Sequence, residues 1–412
     1  VDSNLPPTTT RPSKFPSDIM GCASLKGQVV DFAEEVSNAG FGGPRHTESD
    51  LQRFNRHHIL CGKLGQGSFG SVYTAKRVGF SDEPELAVKV MDLRSPECEK
   101  SRASATAIEK ARKKQVEKEA MLLKSMPATQ SIVQFHGYYL DGPIAYLVME
   151  KCDYTLVDLL QKMPSLNEES LKPVLRGMLA GIGACHSAGV AHRDIKADNF
   201  LVAASSPCMA DFTIKLCDFG LAARVNWPEA QDLTGVHGTP PYMAPEMLVI
   251  GKHGTKVDIW AFGVFAYVMF YGRWPYNPGE YSSNAMKAAI ATGTPAPAYY
   301  SRKGFPEISN KCAVWVRSLL RRCPADRPSA EEALETRAFT SAWNAEESLQ
   351  PVLAAGIRMG AFHANAPGRT SKVDAKMKAM SGRLSSAQCQ TRSRMMMSDD
   401  STAAPSDCGS SP

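Results

Sequence analysis

The chain has 412 residues, of which 43% are hydrophobic and 22% charged, enough apolar material for one large domain or for two or three smaller ones. Its formal net charge of +5 is small for this length and gives no reason to expect a specific nucleic-acid partner. Eleven cysteines are scattered singly without a C-x-x-C pair, which argues against a disulfide framework or a zinc-binding fold.

The sequence predicts no membrane-spanning or secretory element. It contains no run of 18 apolar residues, and no basic-then-apolar signal peptide opens it. The single cysteines are typical of a reducing compartment. We therefore expect a cytoplasmic protein, with a nuclear or membrane-associated location as the alternatives.

Residues 1–53 are predicted to form a flexible segment that begins with a Pro/Thr/Ser-rich stretch. Met20 is followed by Gly21 and Cys22, so translation from Met20 would expose a glycine–cysteine pair of the kind that carries myristoyl and palmitoyl groups. Lys26 replaces the hydroxyl residue favoured in that signal, so a plain flexible leader is the alternative. A membrane is a partner only if Gly21 and Cys22 are acylated.

Ordered structure is expected to resume at about Phe54, Ile59-Leu60 and Lys63-Leu64 suggest a strand, and a glycine-rich segment follows. Its sequence is Leu64-Gly65-Gln66-Gly67-Ser68-Phe69-Gly70-Ser71-Val72-Tyr73. Glycines let backbone amides approach phosphate groups without a Cβ in the way. The same G-x-G-x-x-G spacing also occurs at Rossmann turns. Val72, placed two residues after Gly70 in a strand-like run, favours instead a β-hairpin that covers a nucleotide.

The next predicted strand, residues 86–90, carries Lys89 among apolar neighbours. A lysine inside a strand is most often a solvated edge residue, but the spacing from the glycine-rich segment favours a phosphate contact. Residues 94–118 are long, polar and basic, which is typical of a solvated helix face. Glu119 then opens a predicted helix, because apolar residues recur three, four and seven positions later.

The chain changes from β-rich to α-helical near residue 150. Residues 132–149 are predicted to form two strands, which run into Glu150-Lys151-Cys152. From Leu156 to Ile182, apolar residues recur at steps of three and four, which predicts helices.

Two polar turns carry the strongest chemical signal. The first is His192-Arg193-Asp194-Ile195-Lys196-Ala197-Asp198-Asn199, and the second is Asp218-Phe219-Gly220. Each lies beside a β-like apolar run, so a hairpin joining the runs would bring Asp194, Asn199 and Asp218 around one small volume. This set suits phosphoryl transfer, in which one carboxylate orients a hydroxyl and accepts its proton while the amide and the second carboxylate hold Mg²⁺ on a triphosphate.

With the later Ala244-Pro245-Glu246 and Asp258-Ile259-Trp260 motifs, residues 54–340 resemble the eukaryotic protein kinases. They are nearest to the calcium/calmodulin-dependent group, without an EF-hand. The resemblance implies an α+β, two-lobed kinase fold. The small β-rich lobe with one key helix would span residues 54–150, and the larger, mostly α-helical lobe residues 151–340. It also implies a serine/threonine protein kinase acting on protein substrates.

The resemblance assigns roles in the transfer step. Asp194 would act as the base, Lys196 would neutralise the γ-phosphoryl group in transit, and Thr239 would hydrogen-bond to Asp194. Asn199 and Asp218 would hold Mg²⁺, for which Mn²⁺ can substitute.

ATP is the implied cofactor. Lys89 would grip its α- and β-phosphates, held by Glu119 rather than by Glu117, which lies on another face of the helix. The backbone of Glu150 and Cys152 would bind adenine beside Met149 as gatekeeper. The other residues that the resemblance places around the nucleotide are Leu64, Gly65, Gly67, Gly70, Val72, Ala87 and Leu201.

The stretch between Gly220 and Ala244 resembles an activation segment. Glu246, which closes it, is expected to form a buried ion pair with Arg327. Arg193 is typical of kinases whose activation segment is phosphorylated, so an upstream kinase is an expected partner and Thr234 the candidate site. Asp198 indicates a preference for a basic residue before the target.

Two other functions were compared with protein phosphorylation. A pseudokinase scaffold usually lacks the lysine or one of the two aspartates, but Lys89, Asp194 and Asp218 are all present. Small-molecule phosphotransferases of related fold generally lack the A-P-E segment, which this chain has. The motifs therefore favour a protein kinase.

Residues 341–412 are predicted to form a disordered, basic, Ser-rich tail, with a calmodulin-binding or autoinhibitory helix as the alternative. No internal repeat is evident, and we expect a monomer.

Overall fold

The computed structural model describes residues 50–67, 70–80, 82–94, 102–204, 211–227, 230–279 and 282–362. The predicted acylation site at Gly21 and Cys22 lies outside these residues. Two lobes follow one another along the chain, as the predicted α+β, two-lobed fold requires. The elements of the first lobe are α1 (Asp50–His57), β1 (His58–Gly67), β2 (Gly70–Arg77), β3 (Leu86–Asp92), α2 (Arg102–Ser125), β4 (Phe135–Asp141) and β5 (Ile144–Glu150).

The five strands of the first lobe form one antiparallel sheet in the order β1-β2-β3-β5-β4. Because side chains alternate along a strand, central strand β3 serves two small cores. Val88 and Val90 face one core with Tyr146, and Met91 faces the other with Val116 of α2. Lys89 therefore lies on the sheet face that α2 covers, and only 9% of its surface is exposed.

Helix α1 begins at Asp50, four residues before the position where ordered structure was expected. Phe54 is fully buried and stacks on Tyr146, with 4.5 Å between ring centroids. This aromatic contact explains why a helix precedes the first strand.

Helix α2 is longer than predicted, which corrects the expectation that it opens at Glu119. It begins at Arg102 and runs for 24 residues. Its first half is rich in Ala, Lys, Arg and Glu, which are strong helix formers, so the polar run extends the helix instead of leading up to it. Glu119 consequently lies in the interior of α2.

The second lobe is mostly helical. Its helices are α3 (Leu156–Lys162), α4 (Glu168–Ser187), α5 (Pro245–Val249), α6 (Lys256–Tyr271), α7 (Ser283–Thr292), α8 (Asn310–Leu319), α9 (Ala330–Glu335), α10 (Arg337–Thr340) and α11 (Gln350–Arg358). Its short strands are β6 (Tyr154–Thr155), β7 (Val190–Ala191), β8 (Phe200–Ala204), β9 (Phe212–Leu216), β10 (Ala223–Arg224), β11 (Leu233–Thr234) and β12 (Lys252–His253).

Helix α6 forms the centre of this lobe. Every residue from Val257 to Tyr271 is buried, and α4, α8 and α11 pack against it. A helix that is apolar on all sides is expected where protein surrounds it completely. Asp258, in its first turn, is the exception in this apolar surface and anchors the site described below.

Within the described ranges, no helix is both long and apolar enough to cross a membrane.

The ordered chain continues past residue 340, which corrects the predicted boundary of the disordered tail. Residues 341–362 run back over the second lobe and include α11. Trp343, Leu349, Val352, Leu353 and Phe362 are all buried in the main core. The rest of the predicted tail, residues 363–412, lies outside the described residues.

The predicted pairing of Glu246 with Arg327 is confirmed. Two guanidinium nitrogens of Arg327 donate to the two carboxylate oxygens of Glu246 at 2.6 and 2.7 Å. Arg327 also donates to the carbonyl oxygens of residues 256, 321 and 322, and its guanidinium carbon lies 4.9 Å from the centre of the Trp260 ring. Both side chains are almost completely buried, so the pair ties the end of the activation segment to the body of the lobe.

Arg327→Ala should lower the free energy of unfolding by about 3–5 kcal/mol, because it leaves the Glu246 carboxylate buried without its partner. Denaturant titration measures this, with the exposed Arg337→Ala as the matched control. A midpoint for Arg327→Ala equal to that of the control would show that the pair contributes nothing to stability.

Candidate active site

The buried carboxylate of Asp258 holds residues 192–199, called the catalytic loop below because they include the candidate base Asp194. It accepts the backbone N–H groups of His192 and Arg193, each at 2.7 Å, and the Nε2–H of His186 at 3.0 Å. Arg193 has a φ of 65°, a left-handed conformation that is costly for a residue with a side chain. The two hydrogen bonds to one carboxylate stabilise this turn immediately before Asp194.

Burial disfavours the ionised form of Asp258, but the hydrogen bond from His186 and the favourable electrostatic interaction with that side chain outweigh this effect. Together with the backbone N–H of His192, they lower the pKa of Asp258 below its ordinary value of 3.8. The carboxylate is therefore ionised at neutral pH and accepts all three hydrogen bonds.

His192 is a packed core residue. It is fully buried, and its ring meets that of Phe219 edge-on at 5.1 Å. Its Nε2–H donates to the carbonyl oxygen of Cys217 at 3.0 Å, while its Nδ1 accepts the N–H of Asp194 at 3.4 Å. The ring therefore connects the loop at Asp194 to the residue preceding Asp218.

The structure brings together the three residues predicted to carry the transfer step. The Thr239 hydroxyl donates to Oδ1 of Asp194 at 2.9 Å. The Lys196 ammonium lies 2.8 Å from Oδ2 of Asp194 and donates to the Thr239 hydroxyl at 3.0 Å. One carboxylate thus lies between a hydroxyl and a cation, which fixes the orientation of both of its oxygens.

Asn199 and Asp218 meet beside Asp194 because strands β8 and β9 pair in register. Phe200 lies opposite Leu216, so the residues just outside the pair, Asn199 and Cys217, are joined by a backbone hydrogen bond of 2.9 Å. The Asn199 amide donates to the backbone and side-chain oxygens of Asp194 at 2.7 and 3.2 Å. The hairpin predicted from the two apolar runs is therefore present.

Lys89 joins the two lobes. Its ammonium lies 2.9 Å from the Glu119 carboxylate of α2 and 2.8 Å from the Asp218 carboxylate of the second lobe. The structure thus contains the predicted Lys89–Glu119 pair. Glu117, the alternative partner for Lys89, lies on the partly exposed surface of the same helix. Its carboxylate is 4.0 Å from the ammonium group of Lys113.

The buried carboxylate of Glu119 and the partly exposed carboxylate of Asp218 share this one ammonium. Burial disfavours the charged form of Lys89, but Glu119 and Asp218 together raise its pKa well above the ordinary value. Burial raises the pKa of Glu119, and the negative charge of Asp218 raises it further. The ammonium group of Lys89 acts in the opposite direction but does not cancel the rise. Burial likewise acts against ionisation of Asp218, but Lys89 lowers its pKa overall. One cation cannot fully compensate two carboxylates, so the site favours a further cation.

Asn199 and Asp218 fit a magnesium ion that is shared with phosphate groups. Lys89 contacts Oδ1 of Asp218, and the Asn199 amide nitrogen is bound to Asp194, so the carboxylate of Asp218 and the amide oxygen of Asn199 are the groups that would hold a metal. Within the described residues, no cluster of three or more His, Cys, Asp and Glu side chains could hold a metal alone. Mg²⁺ is commonly held by one or two protein oxygens with phosphates and water completing its shell, which agrees with this pair.

The glycine-rich segment forms the predicted hairpin. Gly65 pairs with Val72, and Gly67 pairs with Gly70, at the ends of β1 and β2. A Cβ on Gly70 would lie 2.2 Å from the carbonyl oxygen of Val90, so only glycine fits there. Leu64, beside this turn, is 43% exposed.

The other residues expected around the nucleotide lie on the strands below this hairpin and in the second lobe. Val72 pairs with Lys89, and Ala87 pairs with Met149, so these side chains surround the first-lobe side of the cleft. Leu201 lies on β8, opposite Thr155 and Lys215.

The connection between the lobes is held by Glu150. Its carboxylate accepts the N–H of Gln134 at 2.6 Å and the Lys215 ammonium at 3.0 Å, and its own N–H donates to the carbonyl of Gln134 at 2.9 Å. The N–H of Glu150 is therefore already engaged within the protein. Burial raises the pKa of Cys152 to about 12, so this thiol stays protonated.

Sequence reasoning identified the motif that contains Asp258 but assigned no role to that residue. The signal for its role was a carboxylate in the first turn of an otherwise apolar helix. A carboxylate that is buried there needs several hydrogen-bond donors from neighbouring segments. Lys215 was also missed, and nothing in the strand pattern around it indicated its contact with Glu150.

Comparisons with known proteins agree with this geometry. Residues 59–339 match the protein kinase domain family. The chain is 29% identical to calcium-dependent protein kinase 7 of Oryza sativa subsp. japonica over 279 residues, which cover 68% of this chain and 47% of that protein. It is 30% identical to CDPK-related kinase 1 of Arabidopsis thaliana, with coverages of 69% and 46%. It is 32% identical to the serine/threonine-protein kinase STE20 of Kluyveromyces lactis, with coverages of 71% and 26%.

The chain belongs to the protein kinase family, whose members generally use ATP and Mg²⁺. The resemblance drawn from the motifs and the two-lobed α+β fold are both confirmed. The matched relatives are named as serine/threonine or calcium-dependent kinases, and the chain spans less than half of their length.

Asp258→Asn should destabilise the protein by about 2–4 kcal/mol, because the amide places a donor against one of the loop N–H groups. Since the folded-state pKa of Asp258 is lowered, the stabilisation is fully present above the ordinary value of 3.8 and is lost as the pH falls through the lower folded value. Unfolding titrations at pH 7 and between pH 4 and 2 measure both effects.

The exposed Asp211→Asn is the matched control for this substitution. In Asp258→Asn, the acid limb of the stability curve should be shallower than in the control. Equal acid limbs would contradict the role assigned to Asp258.

Proposed function

We propose that this protein is a serine/threonine protein kinase that transfers the γ-phosphoryl group of Mg-ATP to hydroxyl groups of protein substrates. The observation that carries the proposal is the joint placement of Asp194, Lys196 and Thr239 beside Asn199 and Asp218. Family membership and the serine/threonine kinases among the relatives support it. The free cysteines of the described residues favour a cytoplasmic location.

In this reaction Asp194 accepts a hydrogen bond from the substrate hydroxyl and takes its proton. Thr239 and Lys196 keep the carboxylate oriented, and Lys196 offsets negative charge on the phosphoryl group as it moves. Lys89, held by Glu119, positions the α- and β-phosphates. Asn199 and Asp218 are the residues that hold Mg²⁺, which shields the charge of the phosphates.

Lys89, Asp194, Asn199 and Asp218 are all present, which supports an enzyme over a pseudokinase scaffold. The Lys89–Glu119 contact in particular is made, which is the arrangement of a kinase ready to bind nucleotide.

Asp194→Asn should lower phosphate transfer from radiolabelled ATP to a degenerate serine/threonine peptide library by about 10²–10⁴-fold, because the amide cannot accept the proton. Binding of Mg-ATP, measured as a thermal shift, should persist, since Asp194 contacts neither Lys89 nor Glu119. Exposed Asp211→Asn is the control.

A wild-type protein that shows the thermal shift but no transfer, both before and after treatment with an activating kinase, would contradict the proposal.

The same peptide library tests substrate preference. Asp198, a half-buried acid in the turn Ala197–Asn199, is the proposed partner of a basic residue before the target. Equal transfer to peptides with and without Arg or Lys would remove that assignment.

We further propose regulation through Thr234 by an upstream kinase. Near this exposed threonine, Arg193, Lys118, His237 and His253 form a cluster of basic side chains whose electrostatic interactions are mutually unfavourable. Burial and the neighbouring charges lower the pKa of His253 to about 4, and neither of its ring nitrogens has a hydrogen-bond partner among the described residues. A phosphate carries the opposite charge and accepts hydrogen bonds from such groups.

Thr234→Ala should lower peptide phosphorylation and make it insensitive to phosphatase treatment, whereas wild-type activity should fall on that treatment. The exposed Thr292→Ala is the control. Mass spectrometry of the active protein locates the phosphate. Full activity of Thr234→Ala would remove this site.

A further inference from the structure

The last described stretch, residues 341–362, lies beyond the matched kinase domain and packs firmly against the second lobe. It ends in Ala361 and Phe362, which are only 2% and 1% exposed. The Phe362 ring meets Phe265 of α6 at 5.6 Å. It also lies over Gly356, where a Cβ would be 2.5 Å from the ring, so α11 is shaped to receive it.

This stretch reaches the activation segment through one hydrogen bond. The hydroxyl of Tyr242 donates to the carbonyl oxygen of Ala361 at 2.9 Å. Tyr242 is only 5% exposed, and its ring packs edge-on against Trp274 at 5.4 Å. A buried hydroxyl needs a partner, and a segment outside the family domain supplies it here.

Tyr242 belongs to the turn that follows Thr239. The turn Pro240–Tyr242 is closed by the Tyr242 N–H, which donates to the carbonyl of Thr239 at 2.9 Å. Thr239 in turn donates to Asp194. Residues 361 and 362 therefore connect, through Tyr242, to the base of the proposed reaction and to the surface where a substrate hydroxyl must arrive.

We propose that Ala361 and Phe362 are positioning residues that hold the turn at Tyr242 in the shape required to bind the protein substrate. This inference rests on the proposed kinase function and extends it to a segment outside the family domain. Phe362 wedges between α6 and α11, which places the Ala361 carbonyl where the Tyr242 hydroxyl can reach it. Tyr242 then keeps the turn after Thr239 in place.

Residues 341–362 affect the binding of the protein substrate and leave the binding of ATP unchanged. Lys89 and Glu119, which lie in the first lobe, make no hydrogen bond or ion pair with residues 341–362 among the described contacts. Loss of the Tyr242 contact should therefore raise the KM for a peptide without changing the KM for ATP. A merely structural role would affect stability and leave both constants unchanged.

The test uses the full chain and measures KM for peptide and ATP, kcat and melting temperature. Tyr242→Phe removes the hydroxyl and keeps the ring, and Phe362→Ala removes the wedge. Each should raise the peptide KM by roughly three- to tenfold, the effect of one lost buried hydrogen bond, at unchanged ATP KM. The double variant should show no more than the larger single effect, because both substitutions break the same contact.

Two further variants keep the test decisive. Phe362→Leu retains apolar volume, so its peptide KM should be only about twofold above the wild-type value. If Phe362→Ala fails to fold, Phe362→Leu takes its place in the comparison. Phe339→Leu is the matched control, because this ring is equally buried but packs against Trp315 and Trp343, away from Tyr242. It should lower the melting temperature and leave the peptide KM unchanged.

The inference is overturned if Phe362→Ala leaves the peptide KM at the wild-type value, if both KM values rise together, or if the effects of the two single variants multiply. Absence of transfer by the wild-type protein would instead refute the proposed function. Transfer that is normal in the wild type and in Phe362→Ala would refute only the role of the segment.

Discussion

The carboxylate of Asp258 is the constraint on which the rest of the site depends. An ion buried in an apolar helix is stable only if donors surround it, and the donors here are two backbone N–H groups of the catalytic loop and the ring of His186. The same hydrogen bonds stabilise the left-handed backbone of Arg193, so they offset both the cost of burying the ion and the cost of the turn. Asp194 projects from a loop that the core of the second lobe holds rigidly.

A second constraint acts between the lobes. Lys89 on a central strand, Glu119 on α2 and Asp218 after β9 meet only when the sheet, the helix and the second lobe are all in place. A divalent cation of the kind that the family generally uses would offset the resulting surplus of negative charge. Through the one ammonium group of Lys89, the sheet and the helix of the first lobe are joined to the second lobe.

The catalytic residues could be predicted because each sits in a short motif with few conformations open to it. Asp194, Asn199 and Asp218 meet through the register of two adjacent strands, and Lys89 points toward α2 because side chains alternate on β3. The start of α2 at Arg102 and the packing of residues 341–362 were not foreseen. A polar helix can extend into solvent, and a short helix such as α11 is stable only through tertiary contacts, which no local pattern records.

The sequence by itself determined the family, the two-lobed fold and the Glu246–Arg327 pair, because spaced motifs of charged residues and glycines admit few other uses. Only the tertiary structure decided that Asp258 carries the catalytic loop, that Lys215 holds Glu150 and that Tyr242 donates to Ala361. Those contacts join residues between 65 and 119 positions apart in the chain. Their partners are backbone groups or isolated side chains, which leave no signature in composition or periodicity and become visible only once the core has packed.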